Sequence, residues 1–176
     1  MTTDELAPSH LDALQAFFTG LPDGDLTFIK EDLDASMLRS WTRPERDGRR
    51  WLEVDDSGHV LGFVALLPLR GWSRHVGELR LVVDPAARGQ GVGRRLAQHA
   101  LKASVEMDLT KVVVEVIAAQ AGTIAMFSRL GFGAEAMLAD HIRDRHGELQ
   151  DLVVLAHRVD EDWSAMAATG VDDAVV

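Results

Sequence analysis

The spacing of apolar and polar positions divides the chain into short segments of two different periods. Leu11, Leu14, Phe17 and Phe18 recur at helical spacing and share one face, with Ser9 placed to cap that helix and Gly20 to end it. Residues 21–31 read as a loop, broken by Pro22 and Gly24. A second helix is expected over 33–41, followed by a polar, arginine-rich connection over 42–50. Strand patterns then begin. Residues 50–54 and 60–67 flank Asp55, Asp56, Ser57 and Gly58, the composition of a hairpin turn. A third strand spans 76–83 and is stopped by Asp84 and Pro85. Helical period returns over 91–107, with Val92, Leu96, Ala100, Leu101 and Val105 on one side. Residues 111–117 are a β-branched run, the pattern of a central strand covered on both faces. A short helix over 121–130 ends at Gly131, and 133–138 and 152–157 read as the last strands. Residues 140–150 lie between these strands or partly within them. A mixed sheet with helices on both faces accommodates this order.

Composition narrows the class. A length of 176 residues suits one domain, and 47% hydrophobic with 26% charged residues is the balance of a globular chain. The net charge of −10 argues against nonspecific nucleic-acid binding, which rests on clustered bases neutralising phosphates. Arg39, Arg43, Arg46, Arg49 and Arg50 interleave with Trp41 and Trp51, but Glu45, Asp47 and Glu53 dilute that patch, and a solvated loop is the expectation. The absence of cysteine excludes disulfides, thiolate zinc sites and a cysteine nucleophile, and the absence of tyrosine excludes any phenolic acid. The opening MTTDELAPSH is acidic and polar, unlike a secretory signal, and the most apolar stretch, 60–69, is far too short to cross a bilayer. The expected compartment is the cytoplasm, with no membrane partner.

The chemistry concentrates in Leu81-Val82-Val83-Asp84-Pro85-Ala86-Ala87-Arg88-Gly89-Gln90-Gly91-Val92-Gly93-Arg94-Arg95. A strand ends, turns tightly and opens a helix on glycines. Gly89, Gly91 and Gly93 let backbone approach a ligand, while first-turn N–H groups and the helix dipole favour an anion. This is the construction of a phosphate cradle. Arg94 and Arg95 at a helix start are unfavourable unless an anion compensates, which supports the same reading. The alternative is an ordinary strand-turn-helix junction with solvated arginines. The spacing is neither a Walker loop nor GxGxxG.

Arg88-x-x-Gly91-x-Gly93 after a Val-Val-Asp-Pro strand end resembles the acetyl-CoA signature of the GCN5-related N-acetyltransferases. Lys111-Val-Val-Val-Glu-Val, a short helix and Leu130-Gly131-Phe132 are similar to that family's fifth strand, fourth helix and sixth strand. The resemblance covers roughly residues 10–158. It implies a mixed, mostly antiparallel twisted sheet with a splayed central strand pair, an N-acetyltransferase domain over 1–159, and a tail over 160–176 that is loosely helical or disordered. By the same resemblance the strand over 76–83 is the family's fourth. Pantetheine would lie beside it, bonded to backbone near Leu81, Val82 and Val83, and pyrophosphate on amides from Gly89, Gln90, Gly91, Val92, Gly93 and Arg94, with Arg88 opening the signature. The activity implied is direct transfer of an acetyl group from acetyl-CoA to a primary amine: a small amine, an amino acid or a protein amino group. Family members are often dimers, so a homodimer is an admissible assembly, although no segment specifies an interface.

Gln120 and Phe127 occupy positions where the family often has Asn and a Tyr that protonates the leaving thiolate. Gln120 retains hydrogen-bonding capacity; Phe127 has no proton to give. A thiol with a pKa of about 8.5 can depart as thiolate, or Ser128 or a water can serve as donor. An ammonium acceptor must lose a proton before attack, and Glu78, on the strand entering the motif, is the preferred base, with Glu115 second. The competing role for Glu78 is an ion pair with Arg80. His141, Arg143 and Asp151 fall on a hairpin that covers the acceptor pocket in the family, and Phe28 and Trp72 are further acceptor candidates. The acidic and histidine run Asp140, His141, Asp144, His146, Glu148 and Asp151 surrounds the hairpin turn on alternating faces, which disfavours a metal. The competing function is a noncatalytic acyl-CoA sensor or partner-binding module.

Overall fold

The computed structural model describes residues 1–26, 29–30, 33–43 and 47–159. Seven strands form one open sheet in the order β1-β2-β3-β4-β5-β7-β6. They are β1 Thr2–Glu5, β2 Arg49–Val54, β3 Val60–Pro68, β4 Val76–Val83, β5 Lys111–Ile117, β6 Gly133–Arg143 and β7 Leu149–Arg158. Helices α1 Leu11–Gly20, α2 Asp23–Leu26 and α3 Ala35–Trp41 precede β2, α4 Val92–Glu106 joins β4 to β5, and α5 Ala121–Arg129 follows β5. Neighbouring strands are antiparallel except β4 and β5, which run parallel through the α4 crossover.

Strand alternation sorts the side chains of β2 into two cores. Leu52 joins Leu14, Phe17, Phe18, Leu38, Trp41 and Phe63 under α1 and α3. Trp51 joins Leu96, Ala97 and Ala100 of α4, with Val112, Val114 and Phe127. The same alternation divides the arginine-rich segment. Arg50 stacks over Trp41 at 5.4 Å, whereas Arg49 lies over Trp51 at 5.0 Å and pairs with Glu5 and Glu106. Helix α4 packs closely on the sheet because Gly62 of β3 has no side chain there; a Cβ would stand 2.8 Å from Leu96 Cδ1.

Several local expectations are corrected. Ser9 lies in a short 3-10 turn, Pro8–His10, and makes no cap to α1, whose N-cap is His10. The helix expected from residue 33 starts at Ala35, because the Asp34 carboxylate accepts the Met37 N–H at 2.7 Å. Residues 21–31 contain α2, and Thr2–Glu5 adds an edge strand on β2. The last two strands are longer than expected, joined by a turn at residues 144–148. The tail over 160–176 lies outside the described residues. Among the described residues no helix is long and apolar enough to cross a membrane.

Candidate active site

The sheet opens at its one parallel pair. β4 and β5 are paired only at Val76–Lys111, Gly77–Val112 and Glu78–Val113; beyond Glu78 the strands are no longer bonded to each other. Leu79 to Val83 keep their register with β3 and leave their other backbone edge to a cleft of about 1040 Å³. Leu81, Val82 and Val83 line it from one side, and Val114, Glu115 and Val116 of β5 from the other.

At the far end of β4 the chain turns at Asp84. Its carboxylate accepts the Ala86 N–H at 2.8 Å and meets His59 Nε2 at 3.1 Å, and these contacts, the Ala86 N–H first, hold Asp84 below the usual carboxylate range. Gly89 and Gly91 adopt φ of +75° and +80°, the left-handed region that carries the chain into α4. Gly91 is the N-cap, and the first intrahelical bond is Arg95 N–H to the Gly91 carbonyl at 3.0 Å. The amides of Val92, Gly93 and Arg94 therefore lie in the first turn, ahead of that ladder, and all three residues line the cleft.

The arginines around this turn have separate tasks. Arg94 is exposed and lines the cleft. Arg88 donates to Asp25 at 2.6 Å and to the Val83 carbonyl at 3.3 Å, tying α2 to the end of β4. The reading of Arg95 as a cation awaiting phosphate is overturned. Its guanidinium reaches back to Glu53 on β2, 2.9 Å from Nε and 2.5 Å from Nη2, while Nη1 donates to the Gln90 carbonyl. The Gln90 side chain bonds the Ala86 carbonyl, and the residue does not line the cleft.

Where β4 and β5 diverge, four charged side chains meet among the described residues: Lys30, Glu78, Arg80 and Glu115. Glu78 Oε2 accepts from Arg80 at 3.0 Å, so the ion pair weighed as its competing role is present. Glu78 Oε1 accepts from Lys30 Nζ at 2.5 Å, and the same nitrogen is 2.7 Å from Glu115 Oε2. Burial lowers the pKa of Arg80, and the Glu115 carboxylate opposes that shift. Glu78 is buried yet faces the cleft, which gives a proton-accepting group access to a ligand. Sequence reasoning missed Lys30; it stands on a loop with no periodicity, and its partners are distant in the chain.

The remaining candidates divide. Gln120, Phe127 and His141 line the cleft; Phe127 is only 1% exposed and packs edge-on against Phe132 at 5.0 Å. Ser128 points away on the exposed side of α5 and does not line the cleft, which counts against it as an acid. Trp72 is 95% exposed on the turn Gly71–Ser73, outside the cleft. Arg143 folds onto its own hairpin, donating to the Gly147 carbonyl at 3.0 Å. Asp151 accepts the Asp140 N–H at 2.9 Å within the irregularity of β6, and neither Arg143 nor Asp151 lines the cleft. Phe28 lies outside the described residues. Asp144 is occupied by the turn, accepting from the backbone of Glu148 and His146 and from Gln150; these bonds, Glu148 first, lower its pKa. Among the described residues no group of His, Asp and Glu is placed to hold a metal.

An open mixed sheet whose parallel pair parts beside a glycine-rich helix start defines an α/β protein with first-turn amides facing its central gap. The chain belongs to the acetyltransferase (GNAT) family, whose model matches residues 12–132. It is similar to mycothiol acetyltransferase of Arthrobacter sp. (strain FB24), 33% identical over 126 residues. That match covers 69% of this chain and 38% of the relative, so the chain spans well under half of that protein's length. In fold it matches the ribosomal-protein-alanine N-acetyltransferase of Brucella melitensis, with a TM-score of 0.77 at 21% identity over 90% of this chain and 99% of that one. It equally matches YncA of Salmonella typhimurium, solved with its cofactor acetyl-CoA, with a TM-score of 0.77 at 18% identity over 92% and 95% of the two chains. The expected mixed, mostly antiparallel sheet with a parted central pair is the observed fold.

Proposed function

We propose that this chain transfers an acetyl group from acetyl-CoA directly to a primary amine. The observation that carries this reading is the gap between β4 and β5, which opens at a buried carboxylate and ends at the first-turn amides of α4. Pyrophosphate would be held by amides from Gly89 to Arg94, with the cationic side chain of Arg94 beside it. Pantetheine would run along the edge of Leu81 to Val83 that is not paired with β5, beside the Val83 carbonyl held by Arg88, where a backbone N–H near Val83 would polarise the thioester carbonyl. Glu78 would accept the proton of the acceptor ammonium once that amine replaces Lys30. Phe127 supplies apolar surface and no acid, so the sulfur leaves as thiolate or takes a proton from water. The chain has no cysteine to carry a covalent acetyl intermediate.

The same end of the cleft supports an acceptor class. Two carboxylates facing one exchangeable ammonium favour a cationic amine, as does the net charge of −10. The mycothiol acetyltransferase relative is consistent with a small-molecule acceptor, and the cytoplasm is the compartment we propose for it. One observation favours a noncatalytic acyl-CoA sensor: Lys30 is hydrogen-bonded to Glu78, the group that would act as base.

Acetyl-CoA titration by calorimetry, followed by thiol release against a panel of amines, separates these readings. Binding with thiol release on particular amines is the expected result, and Glu78→Gln should keep cofactor affinity while losing turnover. Binding without release on any amine favours the sensor, and failure to bind overturns the cradle itself.

A further inference from the structure

We propose that Lys30 is an internal acceptor, which the enzyme acetylates from its own acetyl-CoA. The proposal rests on the reading of Glu78 as proton acceptor. If Glu78 takes a proton from the attacking amine, that nitrogen must stand within reach of its carboxylate, directly or through one water. Lys30 Nζ already stands there, 2.5 Å from Glu78 and 2.7 Å from Glu115. The position is set by the sheet. Glu78 is the last residue of β4 paired with β5, opposite Val113, and Glu115 lies two residues further along β5, so the amine bridges the two strands at the vertex of the gap. Ile29 and Lys30 both line the cleft from the loop between α2 and α3.

Of the two cations in the cluster, Lys30 is the one that can become an amine nucleophile. The delocalised guanidinium of Arg80 presents no free electron pair. Transfer would proceed by loss of one proton from the Lys30 ammonium to Glu78 and attack of the neutral amine on the thioester carbonyl. The new N–C bond forms, the C–S bond breaks, and sulfur departs with the bonding pair. The second N–H proton goes to that sulfur, and Glu78 returns its proton to water. One ammonium and one acetyl thioester thus become one amide, one thiol and one proton.

The modification changes the site. Lys30 now pairs with both Glu78 and Glu115; with Lys30 acetylated, both carboxylates lose that shared ammonium, while Arg80 still donates to Glu78. Glu78 is released for an incoming amine, and the vertex gains one net negative charge. Acetylation would therefore prime the site for cationic acceptors.

The chain carries its own controls, because it has three lysines: Lys30, Lys102 and Lys111. Lys102 is exposed on α4 and Lys111 pairs with Glu135, so both report uncatalysed acetylation. Protein free of acetyl groups is incubated with acetyl-CoA and sampled by peptide mass spectrometry. Acetyl should accumulate on Lys30 about a hundredfold faster than on Lys102. The rate per molecule should not change with protein concentration, and Glu78→Gln should bring it down to that of the control lysines. Lys30→Gln, which mimics the acetylated side chain, should lower KM for a cationic amine. Equal rates at the three lysines, with thiol release on external amines intact, overturn self-acetylation and leave the role of Glu78 standing. Unmodified Lys30 together with no thiol release on any amine overturns both. A Lys30 rate unchanged in Glu78→Gln also overturns the proposal.

Discussion

The buried carboxylate of Glu53 on β2 holds the guanidinium of Arg95 on α4, with only 2% of the Glu53 side chain exposed. Arg95 in turn fixes the Gln90 carbonyl, so this side chain ties the glycine turn to β2. Removing the guanidinium leaves a carboxylate buried without compensation, which is more costly than the pair itself is stabilising. Arg95→Met, which keeps the aliphatic stem, should lose on the order of 3 kcal/mol in urea unfolding. The double variant Arg95→Met with Glu53→Leu should recover much of that loss. Additive losses in the double-mutant cycle would show that the two side chains act independently.

This pair also marks what the sequence conveyed and what it did not. Elements with strong periods were legible: β4 and β5 run over the expected residues, and α4 differs by one residue at each end. Gly89, Gly91 and the first turn of α4 were legible as well, since φ and chain direction are local matters. Arg95 was misread because its partner lies 42 residues earlier, where a glutamate in a strand looks solvent-facing. Lys30 gave no signal for the same reason, being 48 residues from Glu78. Thr2–Glu5 escaped because a polar edge strand is specified by its neighbour's backbone rather than by its own pattern.

The turn itself can be tested at Gly91. Its φ of +80° lies where an L side chain is disfavoured by about 1–2 kcal/mol, and an added Cβ would stand 3.0 Å from Arg95 Nη1. Gly91→Ala should therefore lower stability by roughly that amount. It should weaken acetyl-CoA affinity further, because relief of the strain moves the amides of the cradle. Calorimetry with acetyl-CoA alongside thermal unfolding reads both effects, and unchanged affinity would mean that the cofactor does not use these amides.

The two carboxylates at the vertex should differ in kinetic weight. Glu78 is buried and touches both Lys30 and Arg80, whereas Glu115 is partly exposed and, among the described residues, forms its close ion pair with Lys30. Glu78→Gln should reduce kcat/KM by about 10²–10³, the scale of a lost general base, with acetyl-CoA affinity unchanged. Glu115→Gln should cost under about tenfold and act mainly on KM. The reverse order in steady-state assays would transfer the base assignment to Glu115.

A pH dependence follows from His99, which packs edge-on against Trp51 with ring centroids 5.1 Å apart. Burial lowers its pKa below the ordinary 6.5, with Arg49 and then Lys102 acting in the same direction and Glu106 and Glu5 opposing them. A folded pKa below the unfolded one means that the unfolded chain binds the proton more readily in the interval between them. The stability that neutral His99 contributes is thus complete above pH 6.5 and is lost as pH falls through its folded pKa. His99→Gln cannot take up a proton, so its unfolding midpoint should fall less steeply than that of the unmodified chain between pH 7 and about pH 5. Carboxylates such as Asp84 titrate lower and contribute to both proteins alike, so the difference between the two curves isolates the imidazole. Parallel curves across that interval would place the acid sensitivity of the fold elsewhere than at the contact between β2 and α4.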